Sequence, residues 1–209
     1  IGIDGLEVDG NDVFAIDVDS GEFLWVYQAN LDPGRVNVCC GWVSRGVGMG
    51  DGQIYVGQLD AKLIALNQET GEINWEIQAE DPMLGYSITA APLYYNGMVI
   101  VGFAGGELAV RGRIKAYDAN DGSLLWTFYT IPGPDDFGGD TWPLDNDARL
   151  YGGAPIWQTP AVDPELGLLY FTTGNAGPDL NGSNRPGDNL FTVSMLALDT
   201  ATGAYRWHF

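Results

Sequence analysis

Short apolar segments alternate with turn-forming residues along the whole chain. QIYVGQL, GMVIVGF and GLLYFTTG are rich in β-branched, aromatic and leucine side chains, and Gly, Asp or Asn lies next to each of them. Runs of this length and composition predict β-strands rather than long helices. The thirty Gly and eleven Pro among 209 residues supply the turns that many brief strands require. The pattern therefore predicts an all-β protein.

One unit of this pattern occurs four times. In each copy Ala is followed by Gly six residues later and by Trp four residues after the Gly. The unit predicts a β-hairpin that turns at Asp or Asn, uses Gly for a positive φ, and ends on a large aromatic side chain. The four copies are AIDVDSGEFLW from Ala15, ALNQETGEINW from Ala65, AYDANDGSLLW from Ala116 and ALDTATGAYRW from Ala197.

The spacing of the repeats predicts a β-propeller. The repeated Trp residues lie 50, 51 and 81 residues apart, and further strand candidates fill each interval. About four strands per roughly 50 residues is the size of a propeller blade, so we expect about four blades over residues 1–209. The long last interval predicts a loop insertion around residues 131–150. A sandwich or immunoglobulin-like array is the alternative, but it does not predict Gly and Trp at fixed offsets.

Charge and hydropathy exclude two classes of partner. The formal net charge is −19 with only nine Lys and Arg, and a nucleic acid or an anionic membrane surface is bound through clustered cations. The most apolar region, residues 90–110, is interrupted by Asn96, Glu107 and several glycines, so we expect no membrane span. The chain begins at Ile1 without a signal peptide, and a repeat ends at Trp207; we expect it to be part of a longer protein.

The only two cysteines, Cys39 and Cys40, are adjacent in VNVCCGWVSRG. Their Cα atoms lie about 3.8 Å apart, below the usual disulfide span, so a bond between them would be strained. Two buried free thiols in a strand are the simpler interpretation of the dipeptide alone. A structural zinc site is excluded because these thiols and His208 fall short of four ligands, and no C-x-x-C-H haem motif is present.

Several motifs together resemble one enzyme family. They are CCGWVSRGV, ITAAP followed by GGELAVRG, and IWQTPAVDPELGLLYFTTGN followed by RPGDN, in this order and along the whole chain. The sequence is similar to the quinoprotein alcohol dehydrogenases of the methanol and ethanol dehydrogenase type. The resemblance implies an eight-bladed propeller that carries pyrroloquinoline quinone (PQQ).

The resemblance also implies roles for individual residues in binding PQQ. Cys39 and Cys40 match a vicinal disulfide on one face of the quinone, and Trp157 matches an indole that stacks on the other. Arg45 matches a contact to the anionic oxygens of PQQ, and Thr89 matches a hydroxyl donor to a carboxylate. The backbone segment near this carboxylate is Ala104, Gly105 and Gly106. Without the resemblance, Trp157 would be read as a core aromatic, Arg45 as an ion-pair partner and Thr89 as a strand residue.

Glu107 and Asn175 match two protein ligands of a metal, which is Ca²⁺ or a lanthanide in the family; oxygen donors of this kind suit Ca²⁺. Glu107 follows Gly106 in what reads as an apolar strand, where an ionised carboxylate needs a partner such as a cation. Asn175 could equally be a turn residue. The chain departs from the family at Pro155, where a Thr is common, and at Gly41 and Trp42, where Asp and Val are common.

The resemblance implies PQQ- and metal-dependent oxidation of an alcohol, transfer of electrons to a cytochrome c-type acceptor, and a periplasmic location. The catalytic Asp lies in an H-D-x-W-D motif that we expect just beyond Phe209, so the chain alone is expected to be inactive. Two exposed blade faces would make it marginally stable or a homo-oligomer. The alternatives are a non-catalytic propeller that serves as a scaffold or protein-binding platform, and a membrane sugar dehydrogenase, which lacks the paired cysteines.

Overall fold

The computed structural model describes residues 10–209 together with two short strands that precede them, β1 (Gly2–Ile3) and β2 (Leu6–Glu7). β1 pairs with β2, and β3 (Val13–Ile16) pairs with β4 (Phe23–Tyr27), each as a two-stranded antiparallel sheet. Over the described residues the helical structure is limited to single 3-10 turns. The prediction of an all-β protein is confirmed.

Three four-stranded antiparallel sheets follow, each with its strands in sequence order. The first contains β5 (Gly48–Gly50), β6 (Gln53–Gly57), β7 (Lys62–Asn67) and β8 (Ile73–Gln78). The second contains β9 (Leu93–Tyr95), β10 (Met98–Gly102), β11 (Arg113–Asp118) and β12 (Leu124–Tyr129). The third contains β13 (Ala161–Asp163), β14 (Leu168–Thr172), β15 (Met195–Asp199) and β16 (Tyr205–His208).

The four sequence repeats are the four hairpins β3–β4, β7–β8, β11–β12 and β15–β16. In each hairpin the repeated Ala lies opposite the repeated Trp, for example Ala65 opposite Trp75, and the register shifts immediately after the Ala. The repeated glycines all have φ between 70° and 74°, which explains why this position is Gly. In the β7–β8 turn, Asn67 Oδ1 accepts from the backbone N–H groups of Glu69 and Thr70.

The repeated Trp residues join neighbouring sheets. Trp75 Nε1 donates to the carbonyl of Ala119, in the turn of the next hairpin, at 2.9 Å. The Trp75 ring packs against Gly122 of the same turn, so closely that a Cβ on this glycine would lie only 2.9 Å from the ring. Trp25 and Trp126 dock in the same way on the next hairpin turns. Side chains between the sheets form the core, with one cluster on each side of the second four-stranded sheet. Sheets that stack in sequence order through a repeated contact are blades of a propeller, as predicted.

The extra length in the last repeat is divided between two connections. Residues 131–150 are irregular apart from 3-10 helices at Gly139–Thr141 and Ala148–Leu150. A second long connection, residues 173–194, joins β14 to β15 and was not predicted. Asn189 ties it to the insertion, since its backbone N–H and its Nδ2 both donate to the Thr141 carbonyl at 3.2 Å.

Within the described part of the chain, no helix has the length and apolar character that crossing a membrane requires.

Candidate functional site

Five connections between strands surround a cavity of about 430 Å³ at one end of the sheets. They are the β4–β5, β8–β9, β10–β11, β12–β13 and β14–β15 connections. All the site residues predicted from the sequence line this cavity except Gly106, which is buried behind it. The lining residues are Val38, Cys39, Cys40, Gly41, Val43, Arg45, Ser87, Thr89, Ala104, Gly105, Glu107, Pro155, Trp157, Asn175 and Asp179.

The two cysteines form a disulfide bond with each other. Both are exposed, and they lie in a bend between β4 and β5 rather than in a strand. The alternative of two buried free thiols is therefore wrong. Val38 and Val43 line the cavity beside the disulfide and make this wall largely apolar.

Trp157, Arg45 and Thr89 form a second, connected group. The Trp157 side chain is 40% exposed, so it is not a core aromatic, and the Arg45 guanidinium carbon lies 5.2 Å from the centroid of its ring. The backbone N–H and Nη1 of Arg45 both donate to the Thr89 carbonyl, at 3.1 and 3.2 Å. Thr89 is buried, and its hydroxyl donates to the Trp157 carbonyl at 3.5 Å. The arginine is thus held against the aromatic ring.

Glu107 does not lie in an apolar strand, and that prediction is wrong. It occupies a single-turn 3-10 helix, Gly106–Leu108, between β10 and β11, and it is exposed to the cavity. The backbone turns sharply here because Gly105 and Ala109, on either side of the helix, are both left-handed. Because the Glu107 carboxylate is exposed, it does not need a cation to compensate for the cost of burying its charge. Its position in the cavity is therefore the only structural reason to consider it a metal ligand.

Pro155 connects the two predicted metal ligands. Its ring packs against Gly106, which precedes Glu107, and against Gly174, which precedes Asn175; a Cβ on either glycine would approach the ring within 2.7 and 2.9 Å. The Gly174 N–H donates to the Pro155 carbonyl at 2.8 Å. Pro155 thus sets the spacing between the turn of Glu107 and the loop of Asn175.

Asp179 is the residue that the sequence analysis missed. It lines the cavity, and its Oδ1 accepts a hydrogen bond from Asn175 Nδ2 at 2.7 Å. Asn175 is therefore more than a turn residue, because its amide is held at the cavity by a carboxylate. The only sequence signal was an acidic residue four positions after a predicted ligand.

The cavity suits a flat, anionic, aromatic molecule together with a hard cation. The disulfide and the indole offer apolar surfaces, Arg45 offers a cation, and Glu107, Asn175 and Asp179 offer oxygen atoms. In the described part of the chain no three His, Cys, Asp or Glu side chains are grouped closely enough to hold a metal ion. A cation in this cavity would therefore take further oxygen ligands from the bound molecule or from water.

Comparison with known proteins identifies the family. Residues 6–209 match the family described as "PQQ: Glucose/ethanol/alcohol dehydrogenase, beta-propeller domain". The chain is 41% identical over 213 residues to quinoprotein alcohol dehydrogenase PedH of Pseudomonas putida, an alignment that covers 94% of this chain and 35% of that protein. The chain therefore spans about a third of the length of this curated relative.

Two solved structures share the fold. Quinohemoprotein alcohol dehydrogenase ADHIIG of Pseudomonas putida HK5 superposes with a TM-score of 0.90 and 37% identity, over 97% of this chain and 32% of that one. A europium-containing methanol dehydrogenase superposes with a TM-score of 0.87 and 33% identity, over 95% of this chain and 38% of that one. With its docked-Trp repeats and its cysteine-walled cavity, this chain belongs to the PQQ-dependent quinoprotein alcohol dehydrogenases, and its fold is that of their β-propeller domain.

Proposed function

We propose that this chain supplies the PQQ- and metal-binding part of a dehydrogenase that oxidises an alcohol to an aldehyde or ketone. The observation that carries the proposal is the single cavity in which a vicinal disulfide, an exposed indole, an arginine and two candidate oxygen ligands meet. Because the chain covers about a third of its relatives, the activity, substrate and partners of the whole enzyme are part of this proposal.

Different residues of the cavity bind different parts of PQQ. The Cys39–Cys40 disulfide and Trp157 are the two platforms for the faces of a flat ring system, and an indole gives large contact area at low entropic cost. Arg45, already held by the Thr89 carbonyl, pairs with anionic oxygens of the cofactor. The Thr89 hydroxyl and the backbone of Ala104 and Gly105 also line the cavity, and we assign them to a carboxylate of the cofactor.

Glu107 and Asn175 hold the metal ion, Ca²⁺ or a lanthanide, through hard oxygen donors. When bound, PQQ supplies the two-electron oxidant and the metal supplies Lewis acidity. The two carboxylates in the cavity are Glu107, assigned to the metal, and Asp179, which accepts from Asn175. The family resemblance, rather than this cavity, assigns the alcohol proton to the Asp of an H-D-x-W-D motif expected beyond Phe209.

The compartment and the electron acceptor follow from the same proposal. A periplasmic location provides the oxidising conditions in which the cysteine pair stays bonded. The electrons leave to a cytochrome c-type acceptor, and a net charge of −19 favours encounter with a basic partner.

The test is a calorimetric titration of the chain with PQQ, with and without Ca²⁺ or La³⁺. We expect saturable binding that strengthens when the metal is present, because the metal lacks a complete set of protein ligands. Trp157→Ala should weaken PQQ binding by about 1–3 kcal/mol, the usual loss when an aromatic platform is removed. Trp207→Ala is the matched control, since Trp207 is similarly exposed, at 38%, but lies outside the cavity.

Two results would contradict the proposal. A chain that is folded by circular dichroism but binds no PQQ in either condition would favour the non-catalytic scaffold. Equal losses in the Trp157 and Trp207 variants would place the binding site elsewhere.

A further inference from the structure

Asp179 and Asn175 face each other across one turn of the β14–β15 connection, and both line the cavity. Asn175 Nδ2 donates to Asp179 Oδ1 at 2.7 Å and to the Ala176 carbonyl at 3.1 Å. A carbonyl oxygen and an ionised carboxylate can accept hydrogen bonds but cannot donate them. The amide nitrogen must therefore be the atom that faces them, and the orientation of the Asn175 amide follows from its partners.

With the nitrogen fixed, the amide oxygen is the only remaining polar atom of the Asn175 side chain. Oδ1 is also the atom that a hard cation binds, because an amide nitrogen is not a ligand for such ions. A rotated amide would present two N–H donors in its place. The contact with Asp179 thus selects the orientation in which Asn175 can act as a metal ligand.

The position of Asp179 is itself held by Arg185. Arg185 Nε donates to the Gly177 carbonyl at 3.0 Å, and Arg185 Nη2 donates to the Pro178 carbonyl at 3.1 Å. The guanidinium therefore holds the backbone just before Asp179. Arg185 Nη1 donates to Asn189 Oδ1, which anchors the far side of the same connection. The arginine of the RPGDN motif therefore supports the loop through carbonyl groups.

Asp179 forms no ion pair with a Lys or Arg of the described residues, and Arg185 does not neutralise it. Its negative charge is therefore available to a cation in the cavity, in addition to the charge of Glu107. A second carboxylate increases the attraction for a trivalent ion more than for a divalent one, because the Coulomb energy scales with the charge of the ion.

We propose that Asp179 is a positioning residue of the metal site, which holds the Asn175 amide with its oxygen toward the ion and supplies a second negative charge beside it. This inference rests on the proposed function. It predicts that the orienting hydrogen bond and the charge contribute separately to metal affinity, and that the charge favours trivalent ions.

Three variants separate these contributions. Asp179→Ala removes both the acceptor and the charge, Asp179→Asn keeps an acceptor oxygen and removes the charge, and Asp135→Ala removes an exposed carboxylate of the insertion that lies outside the cavity. Each chain, saturated with PQQ, is titrated calorimetrically with Ca²⁺ and with Eu³⁺. PQQ titrated with each metal in the absence of protein is the blank, and melting temperatures show that each variant folds.

Asp179→Ala should weaken binding of both ions by about 10- to 100-fold, the usual loss when a partner of a metal ligand is removed. Asp179→Asn should recover most of the Ca²⁺ affinity but less of the Eu³⁺ affinity, and Asp135→Ala should match the unmodified chain. A merely structural role would affect both ions equally and would lower the melting temperature in parallel.

The two proposals fail in different ways. Unchanged metal affinity in Asp179→Ala, with an unmodified chain that binds metal and PQQ, would overturn the positioning role and leave the proposed function standing. An unmodified chain that binds neither PQQ nor metal would overturn both.

Discussion

At the scale of single residues, Pro155 and the two glycines it contacts determine how the two proposed metal ligands, Glu107 and Asn175, are spaced. The proline ring fills the space where a Cβ on Gly106 or Gly174 would lie. The turn that carries Glu107 and the loop that carries Asn175 can therefore approach each other only while both glycines remain.

Gly106→Ala should weaken metal binding by moving the Glu107 turn away from the Asn175 loop. The added Cβ would come within 2.7 Å of two ring carbons of Pro155, and overpacking of this kind costs about 1–3 kcal/mol. Calorimetric titration with Ca²⁺ in the presence of PQQ measures the effect. Gly34→Ala is the control, because Gly34 lies outside the cavity, has no positive φ, and its added Cβ would come no closer than 3.2 Å to the exposed Asp32 carboxylate; equal metal affinity in the two variants would contradict the spacing role.

Replacing both cysteines by serine should weaken PQQ binding without unfolding the chain. The disulfide fixes Cys39 and Cys40 at the cavity wall, whereas two free side chains must be ordered when the cofactor binds, at about 0.5–1.5 kcal/mol each. The PQQ titration of the Cys39→Ser, Cys40→Ser double variant measures this loss. Undiminished affinity would show that the disulfide is not a platform for the cofactor.

The candidate residues differ in how visible they are in the sequence. Most of the cavity lining could be named in advance only through the family resemblance, because the residues alone favoured two free thiols at Cys39 and Cys40 and a core aromatic at Trp157. Asp179 could not, because an acidic residue in a polar loop carries no pattern until the backbone turns it toward Asn175. Glu107 was named correctly as a cavity residue, but its apolar neighbours suggested a strand; Gly105 and Ala109, in the left-handed region, make a 3-10 turn instead.

At the scale of elements, the repeated hairpin is the unit that joins the blades. Each docked Trp donates from Nε1 to the carbonyl that follows the Asp or Asn of the next hairpin turn, as Trp126 does to Thr200, the residue after Asp199, at 3.2 Å. The fixed offsets in the sequence predicted the hairpins and their glycines. Residues 173–194 were not predicted as a second long connection, because the spacing of the Trp residues gives the total length of the last interval and not its division between connections.

Trp126→Ala should destabilise the chain by about 3–5 kcal/mol, because the Trp126 side chain is only 9% exposed and packs between two blades. Trp207 occupies the same position in the last hairpin but is 38% exposed, so Trp207→Ala should cost less than half as much. Urea unfolding followed by circular dichroism compares the two variants. Equal losses would contradict the docking role, since each variant removes the same side chain from the same hairpin position.

At the scale of the whole molecule, buried tyrosines in the core between blades make the free energy of unfolding fall as the pH becomes alkaline. Burial raises the pKa of Tyr55 to about 12, and the nearby Tyr94 adds to the effect; burial also raises the pKa of Tyr86 and Tyr117. The folded state therefore favours the neutral phenol. Its contribution is fully present below pH 10, where the unfolded chain also keeps the proton, and is lost as the pH rises through 12.

The free energy of unfolding should thus fall above pH 10, by up to about 1.4 kcal/mol per pH unit from Tyr55 alone. Urea unfolding at pH 8, 10 and 11 measures the slope. Tyr55→Phe should make the slope shallower, because Phe cannot ionise in the unfolded chain. A slope unchanged by this substitution would contradict the assignment to Tyr55.

The most direct test of the account as a whole is a crystal structure of the chain with PQQ and Ca²⁺. We expect a flat ligand in the cavity with one face on the Cys39–Cys40 disulfide and the other on Trp157, and a cation bound by Glu107 and the Asn175 oxygen. PQQ bound elsewhere at saturating concentration, or a cation away from Glu107 and Asn175, would contradict this expectation.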